Sequence, residues 1–262
     1  MLQIYTVLEE LLDLSKRVVA KGTVLKSETE DSHARFYVEQ GWLAASKSLV
    51  DGEQQILEFI LPDETYDPTA ADGSTSFVQL EALCDAVVAT IDRTTWERVL
   101  QDHPELWHGE RRRDIAARAR LSERMLRLGK SSAETRIAYV LIELWMRMNA
   151  TQAAENCSFH VPLNQKQLGD FAGLCSVHVC RTLRRLNRSG IITSGDHLVI
   201  AIHDLPALAE LADVDLTALR DRIIPAPQCS FTKAAIREPL SMPRLDSIDE
   251  ERRNGRISGS GV

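Results

Sequence analysis

Four arginines, Arg181, Arg184, Arg185 and Arg188, fall between Leu174 and Arg188, and no acid lies among them. The whole chain carries a formal net charge of -7. A local basic segment in an acidic chain marks a surface for a polyanion. Read as a helix, the segment sorts itself into faces. Val179, Leu183 and Leu186 recur at i, i+4 and i+7 and must face a core. Val177, Cys180, Arg181 and Arg184 share another face, with Ser176 at its start. A helix presenting such a face can lie in the DNA major groove and read base edges. Arg181 can fork onto guanine O6 and N7, a pairing that discriminates by about 1–3 kcal/mol. Gln165, Lys166, His178, Arg185 and Arg188 suit phosphates, contacts that position the protein and make binding salt-dependent.

Other chemistry in the same stretch is weaker. Cys180 is either a small side chain in the groove or, beside Arg181, an oxidisable thiol. Oxidation to a sulfinate would set negative charge against DNA. Cys175, His178 and Cys180 crowd together, but on a helix Cys180 points about 200° away from His178. Tetrahedral zinc is not expected, and neither is any other metal or cofactor. His203 and Asp204 stand without a nucleophile or a Gly-rich phosphate loop. An enzyme is therefore the distant alternative. A sensor on the same DNA-binding scaffold, responding to a ligand or to Cys180 oxidation, is the nearer one.

These side chains need elements to hold them. Asn164-Gln165-Lys166-Gln167 offers a capping-box start for a helix running to about Phe171. Gly173 makes a turn, and the basic helix follows, ending near Ser189-Gly190. Ile191–Thr193, a Gly195-Asp196 turn and His197–Ile202 read as a β-hairpin. Capped helix, glycine turn, basic helix and hairpin together make a winged helix-turn-helix. An arginine-rich helix alone could equally be a solvated face; the order of elements is what singles out DNA.

Upstream, Ser132 caps an amphipathic helix over Glu134–Met148, and Val161–Leu163 is short and extended. Residues 105–128 form a long charge-rich helix with Ile115, Ala119 and Leu126 on one stripe and Leu121, Met125 and Leu128 on its neighbour, ended by Gly129. Its narrow apolar stripes suit dimerisation. Thr94 caps a short helix to about Gln101. From Val18 to Ile91, short apolar or alternating runs separated by Lys21-Gly22, Gln40-Gly41, Asp51-Gly52, Pro62-Asp63 and Asp72-Gly73 read as a small β-barrel or sandwich. Residues 1–17 are helical, with Leu8, Leu11, Leu12 and Val18 on one side. Pro206–Arg222 gives one or two short helices. From Pro225 the chain turns to Pro, Ser, Arg and Gly with little periodicity, and a disordered tail is expected.

With 262 residues the chain has room for two modest domains. Between Arg35 and Arg93 the only base is Lys47, so an acidic first half precedes a basic second half. No apolar run reaches the roughly 18 residues of a membrane span, and the start lacks a secretory signal, so a cytoplasmic protein is expected. Five cysteines at irregular spacing argue against a disulfide framework.

The sequence resembles the Crp/Fnr family of bacterial transcription regulators over nearly everything up to about residue 220. The matching residues are Asp51–Ile56, Phe59–Asp63, Ile91-Asp92-Arg93, Leu126–Gly129 and Ala133–Ala138. They continue through Leu168-Gly169, Gly173-Leu174, Val177–Leu183, Leu186, Gly190–Ile192, Ile202-His203-Asp204 and Leu208–Ala212. The resemblance implies an α+β fold: a cyclic-nucleotide-binding-like β-barrel over 1–104, a dimerisation helix and linker over 105–130, a winged helix-turn-helix over 131–204, a helical extension over 205–224 and a tail over 225–262. It implies a homodimer, joined through the 105–128 helix, on pseudo-palindromic double-stranded DNA, with RNA polymerase as partner. The departures narrow the subgroup to a FixK/Fnr-like one without the usual ligand signatures. Cyclic-AMP receptors of the family hold the phosphate with an arginine, but 63–78 has no Arg or Lys and several acids, so cyclic AMP is not expected. No Cys precedes Cys84, which excludes the family's N-terminal iron–sulfur site, and His33 is the only His before His103 to offer haem a ligand. Many relatives place a Glu where Val177 stands; valine can touch a thymine methyl but cannot accept from cytosine N4.

Overall fold

The structure is a computed structural model that describes residues 2–68, 77–151, 158–195 and 199–225. Helix α1 (Leu2–Ser15) leads into eight short strands: β1 (Lys16–Val19), β2 (Val24–Lys26), β3 (Ala34–Gln40), β4 (Leu43–Ser48), β5 (Gln54–Ile60), β6 (Thr65–Tyr66), β7 (Gln79–Ala82) and β8 (Ala86–Asp92). They form two antiparallel four-stranded sheets, ordered β1-β8-β3-β6 and β2-β7-β4-β5. Phe36, Val38 and Val88 from the first sheet meet Leu43, Ile60 and Leu80 from the second in one buried cluster. The expected barrel or sandwich is thus two sheets facing across a common core.

Helix α1 stops two residues before the expected end, with the Ser15 hydroxyl donating back to the carbonyls of Leu11 and Leu12. Its Leu8 and Leu12 are buried against Tyr37, Ala89 and Ile91. Val18, expected on the same apolar side, lies instead in β1 and is exposed. The pairing of β1 with β8 explains this: the period-2 pleat that buries Val19 turns Val18 outward.

Helix α2 (Arg93–Asp102) is capped by Asp92, not Thr94; the Asp92 carboxylate accepts from the Thr95 N–H and from both threonine hydroxyls. Three hydrogen bonds to the charged form pull its pKa down to about 2. Helix α3 (Leu106–Lys130) runs straight through Gly129, the residue expected to end it, and is closed by the Ser131 N–H donating to Arg127 O. Gly129 adopts no left-handed conformation. Arg127 and Lys130 in the last turn favour the helix end electrostatically. Helix α4 (Ala133–Thr151) follows after Ser132, whose hydroxyl accepts from Thr135 N as expected.

One face of α3 is not solvated. Arg120, Arg124 and Arg127 are buried along it, and on α4 Glu143 and Arg147 are buried too. Glu58 of β5 bonds Arg147 at 2.7 Å and Arg124 at 3.0 Å, and Glu143 bonds the same pair at 3.2 and 2.7 Å. Glu64 meets Arg147 at 2.5 Å. Burial pushes the Glu58 carboxyl up, but Arg124, Arg120 and Arg147 outweigh it and hold it well below the usual carboxylate range.

The remaining elements are β9 (Ser158–His160), α5 (Gln165–Ala172), α6 (Ser176–Arg188), β10 (Ile192–Ser194), β11 (Val199–Ile202), α7 (Leu205–Ala212) and α8 (Leu216–Ile223). Strands β10, β11 and β9 form one antiparallel sheet. The expected hairpin is therefore three-stranded, although its tip and residues 152–157 lie outside the described residues, as does the expected tail from 226 onward. The one or two short helices expected over Pro206–Arg222 are two, α7 and α8. Helix α8 returns to α3: Arg120 donates to Ile223 O at 3.1 Å, and Arg222 pairs with Glu123 at 2.8 Å. Among the described residues no helix is long and apolar enough to cross a membrane.

Candidate nucleic-acid interface

Helix α5 begins as its sequence requires. The Asn164 side chain accepts from Gln167 N at 2.8 Å, and the Gln167 side chain accepts from Asn164 N at 2.9 Å. This reciprocal cap satisfies two N–H groups that the helix itself leaves unpaired. Gly173 ends the helix at φ 66, the left-handed region that favours glycine. Gly169 brings α5 against the turn: an added Cβ would lie 2.3 Å from Leu174 O and 3.3 Å from Val179 Cγ2. So the angle between α5 and α6 rests on two glycines, both part of the sequence pattern.

Helix α6 buries Val179, Leu183 and Leu186, the expected stripe, together with Thr182. Ser176, Val177, Arg181, Arg184, Arg185 and Arg188 are exposed, and Cys180 is half-buried. Ser176, Val177, Cys180, Arg181 and Arg184 line one open groove of about 880 Å³ together with Gln165, Arg185 and Arg188. Its far wall is the start of α4, Ser132 to Glu134, which the sequence reading did not include. Glu134 pairs with Arg185 at 3.3 Å. Two of the expected phosphate contacts stand apart from the groove wall. Lys166 is exposed and pairs with Asp170 at 2.7 Å, and His178 Nδ1 lies 3.5 Å from Cys175 Sγ. Among the described residues no cluster of His, Cys, Asp or Glu could hold a metal ion.

The wing is tied to the helix by a residue the sequence reading missed. Asn187 donates to the Ser194 hydroxyl and accepts from Ser194 N, both at 2.9 Å. An asparagine one residue before the helix end, followed by a strand, was the available signal. The hairpin is thereby fixed to α6 rather than merely adjacent to it.

A second cavity, of about 440 Å³, lies between β5, β6 and α3. Five of its lining arginines are engaged by carboxylates: Arg35 by Asp67 and Glu110, Arg113 by Glu110, Arg120 by Glu58, and Arg124 and Arg147 by the glutamates already named. Of the stretch 63–78, where no phosphate-binding arginine was expected, residues 69–76 lie outside the described residues.

Comparison with known proteins places names on both halves. Residues 16–103 match the model of the cyclic nucleotide-binding domain, and residues 135–211 that of the Crp-like helix-turn-helix domain. A probable transcriptional activator of Rhizobium leguminosarum bv. viciae is 26% identical over 198 residues, 75% of this chain and 80% of that protein. The nitrogen fixation regulation protein FixK of Bradyrhizobium diazoefficiens is 26% identical over 186 residues, 71% of this chain and 77% of its own length. Among solved structures, FixK2 from Bradyrhizobium japonicum superposes with a TM-score of 0.68 at 23% identity, covering 76% of this chain and 98% of that one.

Proposed function

This chain belongs to the Crp/Fnr family of transcriptional regulators, close to its FixK/Fnr-like branch, and on that premise we propose how it, as a sequence-specific DNA-binding protein rather than an enzyme, engages its target. The observation that carries the reading is the groove on α6: Ser176, Val177, Arg181, Arg184, Arg185 and Arg188 face outward along it while Val179, Leu183 and Leu186 anchor the helix behind them. Arg181 reads a guanine, with Ser176, Val177, Cys180 and Arg184 beside it on the base-reading face. Gln165, Lys166, His178, Arg185 and Arg188 hold phosphates.

The protein acts as a homodimer through α3, where Ile115, Leu121, Met125 and Leu126 are exposed on the side away from the buried arginines. Two-fold symmetry then sets two recognition helices into grooves about one helical turn apart, on a pseudo-palindromic site. RNA polymerase is the further partner. We divide the chain at 104, 130, 204 and 224, with the two sheets serving as a closed effector barrel. Cyclic AMP is a poor fit for the cavity beside α3, because Arg35, Arg113, Arg124 and Arg147 there are already paired with carboxylates.

The test is Arg181→Ala. Loss of one bidentate guanine contact should cost about 1–3 kcal/mol of discrimination, roughly 5- to 150-fold, and leave the dimer intact. Undiminished footprinting at a specific site by the variant would sink the assignment of Arg181.

A further inference from the structure

The buried charges between the sheets and the DNA-binding unit have no part in DNA contact, yet they join three elements at once. Strand β5 and the turn after it supply Glu58 and Glu64, α3 supplies Arg124, and α4 supplies Glu143 and Arg147. The two guanidiniums also reach backbone: Arg124 donates to Leu57 O at 2.6 Å and Arg147 to Phe59 O at 2.5 Å. An aromatic contact lies alongside. Phe171 of α5 packs on Phe59 with ring centroids 4.3 Å apart, and Arg124 lies over its ring at 4.5 Å. The junction therefore touches α4 and α5, the two helices that carry α6.

We propose that Glu58, Glu64, Arg124, Glu143 and Arg147 are positioning residues for DNA recognition, a latch that fixes the recognition helix relative to the sheets and to α3. Charges suit this task better than an apolar face. An apolar interface tolerates sliding, whereas each of these ions must meet its partner in one geometry or stand unpaired in a buried site. Arg147 makes the constraint tight, because its fork is shared among Glu58, Glu64, Glu143 and Phe59 O. The connection it braces is short: only Ser131 and Ser132 separate α3 from α4. The required precision is set by DNA. Helix α6 has 13 residues and is roughly 20 Å long, so a tilt of about 10° moves one end by about 3.4 Å, one base-pair step. In a dimer such a tilt changes which half-site spacing both helices can reach.

The inference rests on the homodimeric, two-half-site reading above, and its test separates the two. Duplexes selected by the wild-type protein from a random pool provide the operator, from which a single half-site and variants with the half-sites one base pair closer or farther apart are made. Glu58→Gln removes the central charge with little change of shape. Glu64→Gln, at the more exposed rim of the network, is the second variant because the fold tolerates it more readily. Light scattering and circular dichroism verify that each is a folded dimer. Both should bind the single half-site within about twofold of wild type. Discrimination between correct and shifted spacings should fall at least tenfold for Glu58→Gln and about threefold for Glu64→Gln. A merely structural role would weaken every DNA alike. Wild-type spacing discrimination in both folded, dimeric variants overturns the latch while leaving DNA recognition standing. Wild-type protein that prefers neither two half-sites over one nor any spacing overturns the dimeric reading, and the latch with it.

Discussion

Replacing Gly169 by alanine sets two effects of opposite sign against each other. Gly169 sits inside α5, where alanine is worth about 1 kcal/mol more than glycine by helix propensity. Propensity alone therefore predicts a more stable protein. The geometry predicts the reverse, since the new Cβ would lie 2.3 Å from Leu174 O, a backbone atom of the turn. Ordinary contact needs about 1 Å more. The carbonyl cannot swing aside freely, because the Leu174 N–H is itself bonded to Gly169 O at 2.9 Å. Val179 Cγ2, at 3.3 Å, blocks relief in the direction of α6. Overpacking of this kind costs about 1–3 kcal/mol, and a backbone clash belongs at or above the top of that range. The net expectation is a loss of about 2 kcal/mol, roughly a 30-fold fall in the folded ratio. Helix α6 should also be pushed off its seat, so specific DNA binding should fall further than stability does. Urea unfolding gives the first quantity and a binding titration on the selected operator the second. An alanine variant that is more stable than wild type and binds DNA equally well would refute the close-approach argument outright.

Three further expectations follow from other parts of the structure. Arg185→Ala should weaken binding to all sequences about equally and reduce the slope of log K against log salt by about 0.9, measured by titration at several salt concentrations; an unchanged slope removes Arg185 from the phosphate contacts. Leu126→Glu places a charge on the exposed apolar side of α3 and should raise the dimer dissociation constant at least ~10-fold, since a buried leucine is worth about 1.5–3 kcal/mol; light scattering that shows an unaltered dimer puts the interface elsewhere. The Glu58 carboxyl is held below its ordinary value in the folded chain, so its contribution is fully present above the unfolded pKa of about 4.3 and is lost as pH falls through the lower, folded value. Urea midpoints should thus stay flat on this account from neutral pH down to about 5 and drop below about 4, with a smaller acid loss in Glu58→Gln; equal acid sensitivity in both proteins contradicts the assignment.

The recognition unit was legible because its signals are local. Val179, Leu183 and Leu186 declare a helix face by spacing alone, Asn164 and Gln167 declare a cap, and Gly173 declares a turn. Strand β9 was not legible. It is three residues long, and its place beside β11 depends on a partner some forty residues away. The end of α3 was misjudged because a glycine is a common stop but not an obligatory one; electrostatics in the last turn and the Ser131 cap decided the matter. The largest omission was the interior of the molecule between its two halves. Arg120, Arg124 and Arg127 at helical spacing look like a solvated face, and nothing within a helical turn says otherwise. Only folding brings Glu58 to Arg120 and Arg124, Glu143 to Arg124, and the Tyr139 ring under Arg127. Local sequence announces an apolar face; a buried ionic one becomes visible only when its counter-ions are in place.

That interior has a thermal consequence. Stripping water from charges becomes less costly as temperature rises, whereas the gain from burying apolar surface levels off. Warming thus strengthens the ionic seam relative to the leucine and valine packing inside each half. Heat should open the molecule from within its lobes while the seam still holds. On the proposed latch, the recognition helix should keep its orientation on warming until the lobes themselves unfold.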